Sequence, residues 1–269
     1  MENEFPIAFL PLLCAHLLAD FLFQTDKMVQ NKHRIRVLLL HSGIAAGSAA
    51  LLYNPPGSWV WLVLGITWVA HFLTDAFKTF FRWNSVGGFL FDQAAHIGVA
   101  AVLAWWLISS DIPPGWGYPD DLYPMFLLFI SAVLVQTRGI GFLLMTVLRP
   151  WTEEIEKHAA EATEAERPPT GGLTRGGMWI GWLERTLILI FVCAGSLPAA
   201  GFVITAKSIL RFPDMNRPTD TSYGRMVNEY IIIGTLASFT LGLINAYSFR
   251  WLYHLLFWVQ PLSPFDFPL

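Results

Sequence analysis

Apolar stretches of about 16 to 24 residues recur along this 269-residue chain, and an α-helix needs about 20 to cross the hydrocarbon core of a bilayer. In lipid the backbone must satisfy its own polar groups, which a helix does internally. The fold class is therefore expected to be all-α: a polytopic integral membrane helix bundle. Only 14% of the residues are charged, against about 25% in a soluble domain, and the mean hydropathy is +0.48. The formal net charge of −3 carries little information, because the charges are segregated by loop. Cys14 and Cys193 lie in apolar segments with no pairing pattern and read as small core residues, not as a disulfide framework.

Spans fall near residues 6–24, 36–53, 58–81, 87–109 and 121–137, and, after a polar stretch, within 178–212 and 227–250. The 178–212 run is too long for one crossing. Gly195-Ser196-Leu197-Pro198 at its middle predicts a turn between two short helices, which makes about eight spans; a single kinked helix would make seven. The fifth span is expected to end at Gln136. Ile140 to Leu148 then forms an interfacial helix, Trp151 to Arg167 a solvated surface helix, and Pro168 to Gly172 a linker. The loops after the first and third spans carry Lys27, Lys32, Arg34, Arg36, Lys78 and Arg82, whereas Asn54 to Gly57 and Asp111 to Asp121 contain no Lys or Arg. The positive-inside rule then places the N-terminus outside and the basic loops in the cytoplasm. The first residues lack a basic n-region and a small-residue cleavage site, so the first span is expected to be a retained helix.

Inside these spans lie three His/Asp pairs at helical spacing: His16 with Asp20, His71 with Asp75, and Asp92 with His96. A fourth histidine, His41, opens the second span. Four residues apart on an α-helix, both side chains leave the same face about one turn apart. A carboxylate at the centre of a membrane helix costs about 3 kcal/mol on insertion scales, so three of them call for a compensating charge. The seven side chains come from four helices at one depth near the cytoplasmic end, and a bound divalent cation is the most economical compensation. Imidazole and carboxylate together suit zinc first, with manganese or iron as alternatives. The seven groups could hold two metals, or one metal with a spare one of Asp20, Asp75 and Asp92 as general base, and within a pair the Asp could instead hold the His ring in its metal-binding tautomer; Gln24, Gln93 and Lys78 are placed to orient a substrate. Helix-packing hydrogen bonds, a haem held by the histidines, and a proton or cation pathway are the other readings of the same residues.

A second polar group, Glu184, Arg185, Lys207, Arg211 and Glu229, belongs to the C-terminal half. Arg185, Lys207 and Arg211 are suited to a lipid phosphate, or Glu184 and Arg185 mark the snorkelling start of a helix. The chain is expected to divide into a transmembrane metal-site domain (1–137), an interfacial and linker segment (138–177) and a C-terminal transmembrane domain (178–269). No phosphate-binding glycine loop, nucleophile elbow or nucleic-acid patch is present in the sequence.

Ala15-His16-Leu17-Leu18-Ala19-Asp20-Phe21 with Gln24, then His41, His71 to Asp75 and Phe91-Asp92-Gln93-Ala94-Ala95-His96, resemble the bacterial membrane family known as domain of unknown function 3307. Ile180 to Arg185, Ala206-Lys207-Ser208 with Arg211-Phe212, and Glu229-Tyr230 with Ile233-Gly234-Thr235 are similar to a C-terminal segment that often accompanies it. That resemblance implies a multi-pass protein of the bacterial inner membrane and no particular activity. His16 to Asp20 and His71 to Asp75 are also similar to the His-x-Leu-x-Asp motif of membrane-bound metal-dependent hydrolases, whose His-Arg-Gly-x-Thr-His-Ser signature is absent unless His41-Ser42 is its remnant. The expected function is metal-dependent hydrolysis of a lipid or phospholipid-like substrate at the cytoplasmic leaflet. A divalent-metal or proton transporter and a non-catalytic subunit of a membrane complex remain as alternatives. Membrane lipid is the expected partner, nucleic acid is not, and assembly with a second copy or another subunit stays open.

Overall fold

The apolar stretches form helices. A computed structural model describes residues 4–81, 83, 85–116, 122–161, 176–215 and 222–257, and every regular element among them is helical. In order these are α1 (Glu4–Leu18), running into a π-helical turn (Ala19–Phe23), α2 (Asp26–Gln30), α3 (Ile35–Tyr53), α4 (Trp59–Phe80) and α5 (Val86–Ser109). There follow α6 (Leu122–Leu134), a second π-helical turn (Val135–Gly139), α7 (Ile140–Glu161), α8 (Gly176–Cys193), α9 (Leu197–Met215) and α10 (Ser222–Phe257).

Among the described residues, seven helices are long and apolar enough to cross a membrane, which corrects the expectation of eight to the lower count. The expected turn is there: Gly195 takes left-handed backbone (φ 73°), which only glycine adopts at little cost, and α9 starts two residues later. Over the part whose side chains are described, Leu197–Ile209, α9 is a shorter apolar helix and is not among the seven. A second correction concerns Gln136, where the helix does not stop. The chain continues through the π turn into α7, and Leu122–Ala159 counts as one apolar helix of 38 residues. The expected linker Pro168 to Gly172 and Arg82 lie outside the described residues, as does the side chain of Arg211.

The chain divides into two units, formed mainly by Met1–Val135 and by Gln136–Trp251. In the first, α1 is central and packs against α3, α5 and α6, while α4 packs against α3 and α5. Small residues allow this close approach: Ala8, Ala15, Ala45, Ala46, Ala49, Ala100 and Ala104 are all buried at the contacts. An apolar core of Leu12, Tyr53, Val63, Leu103 and Leu107 fills one end of this bundle. The Tyr53 hydroxyl, fully buried there, donates to the Ile112 carbonyl at 2.7 Å. At the other end α5 is started by Ser85, whose hydroxyl accepts from the Gly88 amide at 3.1 Å. Gly88 has no room for a side chain, because a Cβ there would collide with the Trp83 backbone. In the second unit α8 packs against α9 and α7.

Candidate metal centre

The first unit brings His16, Asp20, His41, His71, Asp75, Asp92 and His96 together, all buried except the partly exposed Asp20. Helix direction sets their order in depth. From Asp75 back to His71 and Thr67, and from Asp92 on to His96 and Ala100, each step of four residues moves about 6 Å towards the apolar core. The result is layered: lysines at the rim, carboxylates beneath them, imidazoles next, then a small cavity, and hydrocarbon as the floor.

The carboxylates are each divided between two tasks. The outer oxygen of Asp75 accepts from Lys32 Nζ at 2.7 Å, that of Asp92 from Lys78 Nζ at 2.7 Å, and Asp20 Oδ2 from Gln93 Nε2 at 3.1 Å. The other oxygens point inward, and Asp75 Oδ2 and Asp92 Oδ1 have no hydrogen-bond partner among the described residues. Burial alone would lower the Lys32 ammonium, but the negative charge of Asp75 and Asp20 outweighs it and holds the group above its usual range, so Lys32 remains a cation.

The imidazoles meet those inward oxygens. His41 Nε2 lies 3.1 Å from Asp20 Oδ1, 3.1 Å from His71 Nε2 and 3.5 Å from Asp75 Oδ2. His71 Nε2 lies 3.3 Å from Asp20 Oδ1 and 3.7 Å from Asp75 Oδ2. A ring nitrogen carries one proton or one lone pair, so it can serve one such neighbour and not three. A cation at their centre serves all of them. Zinc bonds of about 2.0 to 2.2 Å in a tetrahedron put the ligand atoms about 3.3 to 3.6 Å apart, close to the separations found here. Gln24 Nε2 is a fourth neighbour of the same nitrogen, 3.0 Å from His41 Nε2.

Three groups have ligand atoms within 4.8 Å of one another: Asp20, His41 and His71; His16, His71 and His96; and Asp20, Asp92 and His96. His16 Nε2 donates to Gln93 Oε1 at 3.3 Å, so its Nδ1 is a bare acceptor, buried and without a hydrogen-bond partner. His96 Nε2 also lacks a partner, 3.7 Å from Asp92 Oδ1 and 3.8 Å from Asp75 Oδ1. Buried polar groups in native proteins are nearly always satisfied, so this many unmet acceptors around one point mark a site for a ligand.

Gln24, Lys78 and Gln93, expected to face a substrate, are placed with their polar ends on His41, Asp92 and Asp20. A substrate role and an anchoring role make different demands on Gln93. As an anchor, Gln93→Leu frees both Asp20 and His16 and weakens metal binding about 10- to 100-fold, read by competition with a chelator. As a substrate contact it would leave metal affinity unchanged. Lys32 is not among the site residues expected from the sequence; its place in the basic loop between the helices of Asp20 and His41 is the signal that points to it.

The second unit holds a different polar group. Arg185 is buried, and its guanidinium donates to the Gln136 carbonyl (2.6 Å), the Thr137 carbonyl (3.0 Å) and the Ser238 hydroxyl (3.1 Å). Gln136 and Thr137 lie in the π turn, where the helical ladder is disturbed. The Gln136 side chain in turn donates to the Arg185 and Gly242 carbonyls and accepts from Asn245. Gly181 leaves the room for the guanidinium: a Cβ there would stand 3.1 Å from Nη1. Lys207 pairs with Glu184. Gln136, Ser238 and Asn245 were not read as partners of Arg185, because nothing in their spacing links them. Arg185→Met removes donors from two carbonyls, at about 1 to 3 kcal/mol for each one left unmet. A lower unfolding temperature in detergent, with an unchanged metal content, is the expected outcome.

Fold and site together define a polytopic α-helical membrane protein with buried His/Asp clusters able to hold a metal ion. Residues 8–113, the stretch that carries the whole cluster, match the family described as Protein of unknown function (DUF3307). No curated protein and no solved structure matches the chain.

Proposed function

We propose that this protein is a metal-dependent hydrolase of the bacterial inner membrane, acting at the cytoplasmic leaflet on a lipid or phospholipid-like substrate. The observation that carries the proposal is the one-sided centre: inward-facing carboxylate and imidazole atoms at ligand–ligand distances, closed on one side by the apolar core around Leu12, Leu103 and Leu107 and rimmed on the other by Lys32 and Lys78. A transport path would need polar groups continuing through that core.

Three carboxylates and two ammonium groups leave one negative charge when the imidazoles are neutral. One divalent ion turns this into one positive charge, which suits an anionic group such as a phosphoryl. A second ion would add charge that nothing there balances. A bound ion of this kind polarises an oxygen and activates water at neutral pH. The chain's own part is then to hold the ion through His41, His71, Asp20 and Asp75, to keep Asp92 beside it as a proton acceptor, and to exclude bulk water. Trp83 packs edge to face on Phe77 and Phe91, Phe81 lies tilted against Phe77, and all four are exposed, as aromatic side chains are at the level of lipid headgroups.

The test is turnover of phospholipids and lipid phosphate monoesters by detergent-purified protein loaded with zinc or manganese, with products followed by mass spectrometry. Metal-dependent release that Asp92→Asn abolishes is the expected result. No release from any of these lipids, together with metal uptake into vesicles containing the protein, would replace hydrolysis by transport.

A further inference from the structure

Between the imidazole layer and the apolar floor lies a cavity of about 30 Å³, lined by His16, His71 and His96 on one side and by Thr67 and small or aliphatic residues, including Ala45 and Ala100, on the other. A buried water needs about 10 to 15 Å³, so this space holds one or two waters or a triatomic anion, and nothing as large as an acyl chain. Its polar lining has unmet capacity. The Thr67 hydroxyl is buried without a hydrogen-bond partner, and the rings of His16, His71 and His96 form the opposite wall. An empty cavity is normally apolar throughout, whereas this one has three imidazoles and a hydroxyl in its wall. His71 lines the cavity and also belongs to two of the groups able to hold an ion. An ion in either group therefore has the cavity as its neighbour on the side away from the lysine rim.

We infer that this cavity is the exogenous-ligand pocket of the metal centre: it holds a water or small anion against the ion, with the Thr67 hydroxyl orienting it from the far side. The inference rests on the metal reading above and deepens it by separating two entrances. The substrate meets the centre from the rim, where Lys32 and Lys78 are, and the small ligand sits beneath it. Thr67 is thus a positioning residue. It is one turn from His71 on α4 and touches neither carboxylate nor substrate. On an otherwise apolar stretch of helix its hydroxyl has no other task, for it does not bond back to its own helix as Thr74 does to the Ala70 carbonyl at 2.9 Å.

The experiment uses the full chain in detergent loaded with Co²⁺, whose visible absorption reports its ligands, and titrates azide as the probe. The wild type takes up Co²⁺ and its spectrum changes saturably with azide. Thr67→Val, which keeps the shape and removes the hydroxyl, binds Co²⁺ equally well and azide about tenfold more weakly, the worth of one hydrogen bond to a charged group. Ala100→Leu fills the cavity and abolishes the azide response while Co²⁺ uptake continues. Should Ala100→Leu fail to fold, Thr67→Val decides alone. Undiminished azide binding in a Co²⁺-loaded Thr67→Val protein overturns the pocket and leaves the metal centre standing. Failure of the wild type to bind Co²⁺ overturns both.

Discussion

Replacing His71 with alanine is expected to weaken metal binding by about a hundredfold or more, the largest effect of any single histidine in the centre. His71 and His96 are each common to two of the three groups whose ligand atoms converge, and of the two it is His71 whose Nε2 stands within 3.7 Å of His41 Nε2, Asp20 Oδ1 and Asp75 Oδ2. A structural zinc site of four ligands is worth about 10 to 16 kcal/mol, so one ligand removed without a substitute costs about 3 kcal/mol. His41→Ala comes next. His16→Ala is expected to have the smallest effect, since His16 Nδ1 lies 4.0 Å from Asp20 Oδ1 and the ring is already committed to Gln93 through Nε2. Chelator competition on the three purified variants gives the ranking. Equal effects of His16→Ala and His71→Ala would mean that the ion sits among the imidazoles instead of between His41, His71 and the carboxylates.

Asp75→Ala is expected to damage the fold as well as the site. Its side chain is wholly buried, and its outer oxygen holds the Lys32 ammonium, which is 18% exposed. Breaking a fully buried ion pair by removing one partner costs about 3 to 5 kcal/mol. Lys32 keeps a path to water, so about 2 to 3 kcal/mol is the expected loss, seen as a lower unfolding temperature in detergent. The double variant Lys32→Met with Asp75→Ala removes the orphaned charge and recovers much of that stability without recovering metal. Stability and metal binding separate in that pair of measurements. If Lys32→Met gives no recovery in the Asp75→Ala background, the 2.7 Å pair is not what makes Asp75 structurally necessary.

The sequence made the helices and the shared inward face of the seven side chains legible because both rest on local regularities. Apolar length marks a span, and a four-residue spacing marks a face. The partners across that face were not legible. Within each His/Asp pair the side chains stand 3.7 to 4.0 Å apart, while His41 and Asp20, from different helices, approach to 3.1 Å. The spacing thus identified which side chains look inward and misjudged which of them meet. Asp20 adds a further reason, since it lies in a π turn that four-residue counting treats as regular helix. The same device hid Gln136, which was read as the end of a span because it is polar. In fact it is buried in a helix that continues, with Arg185 bound to the carbonyls of the turn. The 178–212 run does turn at Gly195 into two helices, and the described apolar part of the second, Leu197–Ile209, is not among the seven spans. Lys32 shows the opposite case: a charge counted only for topology proves to be a neighbour of the site.

The measurement that tests the metal centre most directly is elemental mass spectrometry of the detergent-purified chain, beside the double variant His71→Ala with Asp75→Ala. The expected result is about one zinc, manganese or iron per chain in the wild type, as the charge balance of three carboxylates and two lysines demands, and none in the variant. A folded wild-type protein that stays metal-free after incubation with each of these ions would contradict the centre, and the hydrolytic function would fall with it.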